Sequence, residues 1–482
     1  MRSVLLAAAL FLFSFAQSQK KSSVTKDDQL KTQASTSIQS NYDQYKTMAF
    51  QIWDYAEVGY KEVKSSALLQ QTLKDNGFTV EAGVAGIPTA FVATYGSGQP
   101  VIAILAEFDA LPGLSQQASP EKSSMGGIAG HGCGHHLFGV ASVASGIAIK
   151  KLIEEKKFTG TIKVFGCPAE EGGSGKVYLV RAGLFKDVDV AIHWHPGNEN
   201  GITMTSALAN MSAKFRFRGI SAHAAASPER GRSALDGVEA MNNMVNMMRE
   251  HIPQETRIHY VITNGGKAPN VIPDFAEVYY YVRHPKRDHV QSIFNRVVNT
   301  ANGAALGTDT KMEFEMIGGT HDLLLNRTLA EVMQKNLDKT GGVQYTAAEV
   351  DFGNKLQATF GFPAPPVANA GTVKPLKIEM DAGGGSTDVG DVSYAVPTVG
   401  LRSATWVPGT AAHSWQAVAS GGTEIGTKGM LVASKTMAMT AIDLMSNPEL
   451  IKKATEEFNK SIGDYKYKAL LGDIKPALNY RD

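Results

Sequence analysis

"VIAILAEFDALPG" runs from Val101 to Gly113. Its first six residues are apolar without alternation, and a turn follows at Pro112-Gly113. A run this short, bounded by turn residues, reads as a strand buried on both faces. Working outward, "HLFGVASVASGIAIKKLIEEKKF" places Leu137, Val140, Ala144, Ile147 and Ala148 on one helix face. "GTIKVFGCPAEEG" then reads as a strand, "KVYLVRAGLF" as a helix and "VDVAIHWHPG" as the next strand. This alternation predicts an α/β fold: a mixed, largely parallel sheet with helices on both faces. In such sheets ligands bind beyond the carboxyl ends of the strands. Asp109, the Glu170-Glu171 pair, His193 and His195 all fall there.

The middle of the chain changes character. "MSAKFRFRGISAHA" alternates as a half-exposed strand, and "GRSALDGVEAMNNMVNMMREHI" is helical. Two strands around a Pro-Asn turn, a second helix and a last strand, "KMEFEMIG", follow. The order βαββαβ predicts a ferredoxin-like lid or dimerisation domain over 208–320, inserted between catalytic segments 41–207 and 321–450. Residues 451–482 read as a tail. Met241, Met244, Met247 and Met248 follow helical spacing and read as core or interface filler.

Hydrophobic residues make up 43% of the 482, charged residues 19%, and the net charge is +1. That balance fits a soluble globule of two domains and excludes an electrostatic partner such as nucleic acid or an anionic membrane. At the start, "MRSVLLAAALFLFSFAQS" has an early Arg, an apolar run and a small-residue end, so 1–18 reads as a signal peptide and 19–40 as a polar leader. This predicts an exported protein, periplasmic or secreted, with no membrane span in the mature chain. Cys133 and Cys167, the two cysteines, are not expected to pair. Cys133 sits among histidines, and Cys167 reads as a small buried hydrophobe.

Five of the twelve histidines lie within 131–136 and 193–195. Cys133-Gly-His135 offers a thiolate and an imidazole held by glycines, and Glu170-Glu171 follows a proline. His193 and His413 can add imidazoles. Sulfur, nitrogen and oxygen donors together favour zinc or a similar transition ion over calcium or magnesium. The spacing is not that of a closed structural zinc site.

These motifs resemble the zinc-dependent aminoacylase and glutamate carboxypeptidase superfamily, in its amidohydrolase branch. "GHGCGHH" matches that branch's GH-x-CGH(D/N) segment, "PAEEGG" its PAEE, "HWHP" its H-x-x-P, "GISAHAA" its G-x-x-AHA and "PNVIPD" its N-x-IP. "LAEFDALPG", "GGGSTDVGDVSY" and "GTAAHSWQ" extend the likeness to aminobenzoyl-glutamate hydrolase subunits. The match runs in order from about Trp53 to about Met445.

The resemblance implies two divalent metal ions, Zn or Mn, held by Cys133, His135, Glu171, His193 and His413, with Glu170 as general base. His195 competes with His193, which is preferred because position 195 is variable in the family. Asp109 and Asp388 would support ligands from behind. His136 departs from the usual Asp or Asn. His223 would stabilise the oxyanion, arriving from the partner subunit of a homodimer, and Asn270 and Arg283 would hold a substrate carboxylate. The implied substrate is an acyl-amino acid such as aminobenzoyl-glutamate, with a related second subunit as a further partner. Three other readings compete: a dipeptidase or carboxypeptidase of the same superfamily, an amidase using Cys133 as nucleophile, and a non-catalytic exported binding protein.

Overall fold

The strand at Val101–Ala106 lies at the middle of a seven-stranded sheet. In the computed structural model, which describes residues 25–378 and 384–481, its neighbours are Gly160–Gly166 and Val190–Gly197, both parallel to it. Thr398–Ala404 adds a fourth parallel strand. Antiparallel strands finish both edges: Phe91–Ser97 and Thr79–Ala82 on one side, Gly201–Ile202 on the other. The sheet is therefore mixed with a parallel centre.

All six residues of the central strand are buried, because both faces are covered. Ile102, Ile104 and Ala106 pack with the helix His135–Glu154, while Val101, Ala103 and Leu105 pack with Val177, Leu179 and Phe185. His135–Glu154 is also long and apolar enough to cross a membrane, but here it is a core helix, most of it inside the protein.

The inserted unit is a four-stranded antiparallel sheet in the order Arg257–Asn264, Phe275–His284, Ala209–Arg218, Lys311–Thr320. Helices Ala234–Met248 and Arg287–Gly307 cover one face through Val238, Met241, Val245, Ile293 and Val297. Met241 and Met248 are buried filler, whereas Met244 and Met247 point outward. The other face of the sheet carries Tyr281 and Arg283, which touch the large domain at Gly172 and Ser386.

Both ends of the chain depart from the sequence expectation. The signal-peptide segment 1–18 lies outside the described residues. Part of the polar leader 19–40, however, is the helix Lys26–Ser40, opened by a Thr25 capping box and burying Leu30, Ala34 and Ile38 in the main core. Three apolar residues at helical spacing among polar ones are easily overlooked. The tail expected over 451–482 is likewise structured as far as it is described, to Arg481. Helix Pro448–Ile462 packs against the large domain, and the chain beyond it buries Ala469 and Leu471 before reaching the carboxylate turn at Glu171.

Candidate metal centre

The site forms where the parallel strands end. Glu107 and Asp109 follow the central strand, Glu170 and Glu171 follow Gly160–Gly166, and His195 lies near the end of Val190–Gly197. Cys133 and His135 come from the turn that opens His135–Glu154. Gly134 there adopts φ 77°, and a Cβ at that position would press into Pro196, so the turn needs glycine. His413, at φ 58°, enters from the loop after Thr398–Ala404, its amide bonded to the Gly132 carbonyl at 3.0 Å.

Among the described residues, three donor groups have ligand atoms within 4.8 Å of one another: Cys133, His135 and His195; Cys133, Glu171 and His413; Glu107, His135 and Glu170. Cys133 Sγ lies 3.5 Å from His195 Nε2, and His413 Nε2 lies 3.3 Å from Glu171 Oε1. Asp109 sits behind two of them, its Oδ1 2.8 Å from His135 Nδ1 and its Oδ2 accepting from the Glu171 amide at 2.9 Å. Asp388 acts at one remove. It binds the Lys176 ammonium at 2.6 Å, and Lys176 in turn holds Glu107 at 2.6 Å.

His193, the histidine preferred from the sequence, is not among these groups, whereas His195 is. The two share a face of the strand, but His193 lies two residues, roughly 6–7 Å, short of His195 along it. Its ring lies over Gly400, where a Cβ would collide with it, beside Leu323 and Leu325. His195 reaches the strand end. His131 and His136 also turn away, to the carbonyls of Ile52 and Gly421.

His223 and Asn270 lie together on an exposed edge of the small domain, outside these three donor groups. The Asn270 carbonyl accepts from Ala224, and His223 Nδ1 accepts from the Ala225 and Ala226 amides. Arg283 faces the large domain, donating to Ser386 Oγ at 3.0 Å.

Burial pushes the Glu170 carboxyl well up, with the Glu107 and Glu171 carboxylates adding to it. Burial alone would raise Glu171, but the His413 and His135 rings together outweigh it and hold Glu171 low. Burial and then Glu171 push the Cys133 thiol up. The donor set fits a divalent transition ion. Glu107 and Asp388 are buried carboxyls on the buried Lys176 ammonium, Asp109 and Glu171 are buried nearby, and His135 Nε2 and Glu171 Oε1 are buried with only ionic neighbours, Glu107 at 3.1 Å and His413 at 3.3 Å. A divalent cation among these groups would offset the carboxylate charge and engage both atoms.

Glu107, Lys176, Glu62, Tyr480 and Arg481 were not legible as site residues. Glu107 had one signal, its place two residues before Asp109 at the strand end. Glu62 accepts from the Ala169 amide at 2.8 Å and supports the carboxylate turn; it closes "WDYAEVGYKE", the segment where the family likeness begins, but nothing there pointed to a site role.

A family profile described as "Peptidase dimerisation domain" matches residues 208–309. A p-aminobenzoyl-glutamate hydrolase subunit of Escherichia coli is 42% identical over 446 residues, covering 87% of this chain and 93% of that protein. The Xaa-Arg dipeptidase of Mus musculus is 27% identical, covering 91% and 94%. Among solved structures, an aminobenzoyl-glutamate utilization protein from Klebsiella pneumoniae is 19% identical with TM-score 0.58, covering 87% of this chain and 98% of its own. A dinuclear metal-binding peptidase of the M20 family from Bacillus subtilis is 16% identical with TM-score 0.56, covering 85% and 99%. These two share the fold. With 42% identity to a hydrolase across most of both sequences, the chain belongs to the M20 peptidase family and is an amidohydrolase acting on C–N amide bonds.

Proposed function

We propose that the protein cleaves the amide bond of N-acyl amino acids of the aminobenzoyl-glutamate kind. Two divalent cations, zinc or manganese, would be held by Cys133, His135, Glu171, His195 and His413. One observation carries this reading: Cys133, Glu171 and His413, far apart in sequence, place a sulfur, an oxygen and a nitrogen within 4.8 Å. The relative at 42% identity supports the substrate class.

When bound, the cations supply Lewis acidity toward the amide carbonyl and a water. Glu170 takes the proton of that water and hands it to the leaving nitrogen, a task suited to a carboxyl whose burial raises its proton affinity. Asp109 fixes the His135 ring and the Glu171 backbone together. Arg283 is oriented for a substrate carboxylate by its bond to Ser386. His223 and Asn270, exposed on the small domain, serve the partner subunit's site in a homodimer. A related second subunit would be a further partner, and export through the signal peptide would direct the activity to extracytoplasmic amides.

A cysteine-nucleophile route leaves Glu171 and His413, which converge on Cys133, without a task; it predicts inactivation by thiol alkylation and indifference to chelators, the reverse of the metal reading. The test is a panel of N-acyl amino acids and dipeptides, aminobenzoyl-glutamate included, offered to metal-stripped and reloaded protein. Release of the amino acid only after reloading is expected. Cleavage of dipeptides alone would reassign the substrate, and no release from any amide would overturn the proposal.

A further inference from the structure

The two adjacent carboxylates must point to different places. Glu171 faces His413 while Glu170 groups with Glu107 and His135, so the peptide plane following Glu171 has to be held. Its amide side is tied within the turn, Gly172 N–H donating to the Glu170 carbonyl at 2.7 Å. Its oxygen is tied from elsewhere. Tyr480 Oη donates to the Glu171 carbonyl at 2.9 Å, and Arg481 Nη2 donates to the same oxygen.

The segment bringing these two residues is itself fastened. Arg181 Nη1 holds the Gly472 carbonyl at 2.7 Å and Lys61 Nζ holds Asn479 at 3.1 Å. The Tyr480 ring meets Tyr60 edge-on with centroids 5.7 Å apart, and Tyr60 Oη donates to the Gly173 carbonyl at 2.6 Å. The small domain reaches the same turn. A Cβ at Gly172 would lie 2.9 Å from the Tyr281 hydroxyl, with Tyr480 and Arg481 just beyond.

We propose that Tyr480 and Arg481 are positioning residues, which hold the peptide plane after Glu171 and thereby aim Glu170 and Glu171. This rests on the reading of those carboxylates as base and ligand. The peptide unit is rigid, so holding the Glu171 oxygen also holds the Gly172 N–H, which binds the Glu170 carbonyl; the backbone carrying both carboxylates is fixed together. Partners that orient a ligand from behind are worth about 10–100-fold in metal affinity or activity.

The experiment compares Tyr480→Phe, Arg481→Ala and Arg481→Lys with the full chain. It uses the best amide of the panel above, retention of zinc against a chelator, and hydrogen exchange of the 168–175 backbone. Tyr480→Phe and Arg481→Ala are expected to lower kcat by about 10–100-fold while KM stays within about threefold. Zinc should leave both variants sooner, and the Gly172 and Gly173 amides should exchange faster. Arg481→Lys should recover part of kcat, and ethylguanidinium should rescue Arg481→Ala. Unchanged kcat, zinc retention and exchange in Tyr480→Phe and Arg481→Ala would overturn the proposal. So would losses that only track a lower melting temperature. If Arg481→Ala does not fold, Tyr480→Phe, which removes one oxygen, decides by the same readouts. A wild-type protein that cleaves no amide would sink the functional reading instead, and exchange and zinc retention would still decide this one.

Discussion

Glu170 and Glu171 are neighbours in sequence with different surroundings. Glu171 is paired with His413, whereas Glu170 is half-buried and crowded by Glu107 and Glu171. Glu170→Gln is therefore expected to lower turnover by about 10²–10⁴-fold with metal content unchanged, checked by steady-state kinetics and metal analysis. Loss of metal in that variant would make Glu170 a ligand. The histidine pair gives a second comparison. His195→Ala should cut metal retention by roughly 100-fold, while His193→Ala should keep the metal and lose only packing over Gly400. Glu62 gives a pH signature. Burial, then the Asp109 carboxylate, pushes its carboxyl from 4.5 up to about 8. A folded-state pKa above the unfolded one means the protonated carboxyl contributes stability that is complete below about pH 4.5 and lost as the pH rises through 8. Glu62→Gln should remove that slope, so its melting temperature relative to wild type should climb between about pH 4.5 and about pH 8 and level off above. Parallel curves would contradict it.

Among the elements, the terminal helix and the terminal strap do work that their composition conceals. Lys26–Ser40 is polar on most of its surface, yet Ile38 is 1% exposed and packs into the main core. Ile38→Ala should cost about 2–4 kcal/mol by denaturant titration. A loose leader would give no measurable change. The strap beyond Ile462 lies across the carboxylate turn and carries little apolar periodicity. It was unreadable because much of its hold runs through backbone carbonyls, of Gly472 in the strap and of Glu171 in the turn, which leave no mark on side-chain patterns. The parallel strands were readable for the opposite reason: burial on both faces demands an unbroken apolar run, which "VIAILA" supplies.

For the molecule as a whole, the inserted domain presents Arg257–Asn264 as an edge strand, with Val261 56% exposed. His223 and Asn270 lie exposed on the same domain and outside the donor groups. If the domain pairs two subunits and lends His223 to the opposite site, two inactive variants should complement. Glu170→Gln refolded with an equal amount of His223→Ala should recover about a quarter of wild-type activity, since half the dimers are mixed and each holds one whole site. Recovery at the level of the separate variants would place His223 outside the partner's site.

The sequence alone determined the order of strands and helices, the inserted βαββαβ unit and the kinds of donor available, because periodicity and residue chemistry are local properties. Only the tertiary structure decided which histidine of "HWHP" reaches the strand end, that Glu107 joins His135 and Glu170 with Lys176 behind it, and that Tyr480 and Arg481 meet Glu171. Those relations depend on where a strand stops and which distant backbone lies across it. Such distances are set by packing between segments, not by the spacing of residues along any one of them.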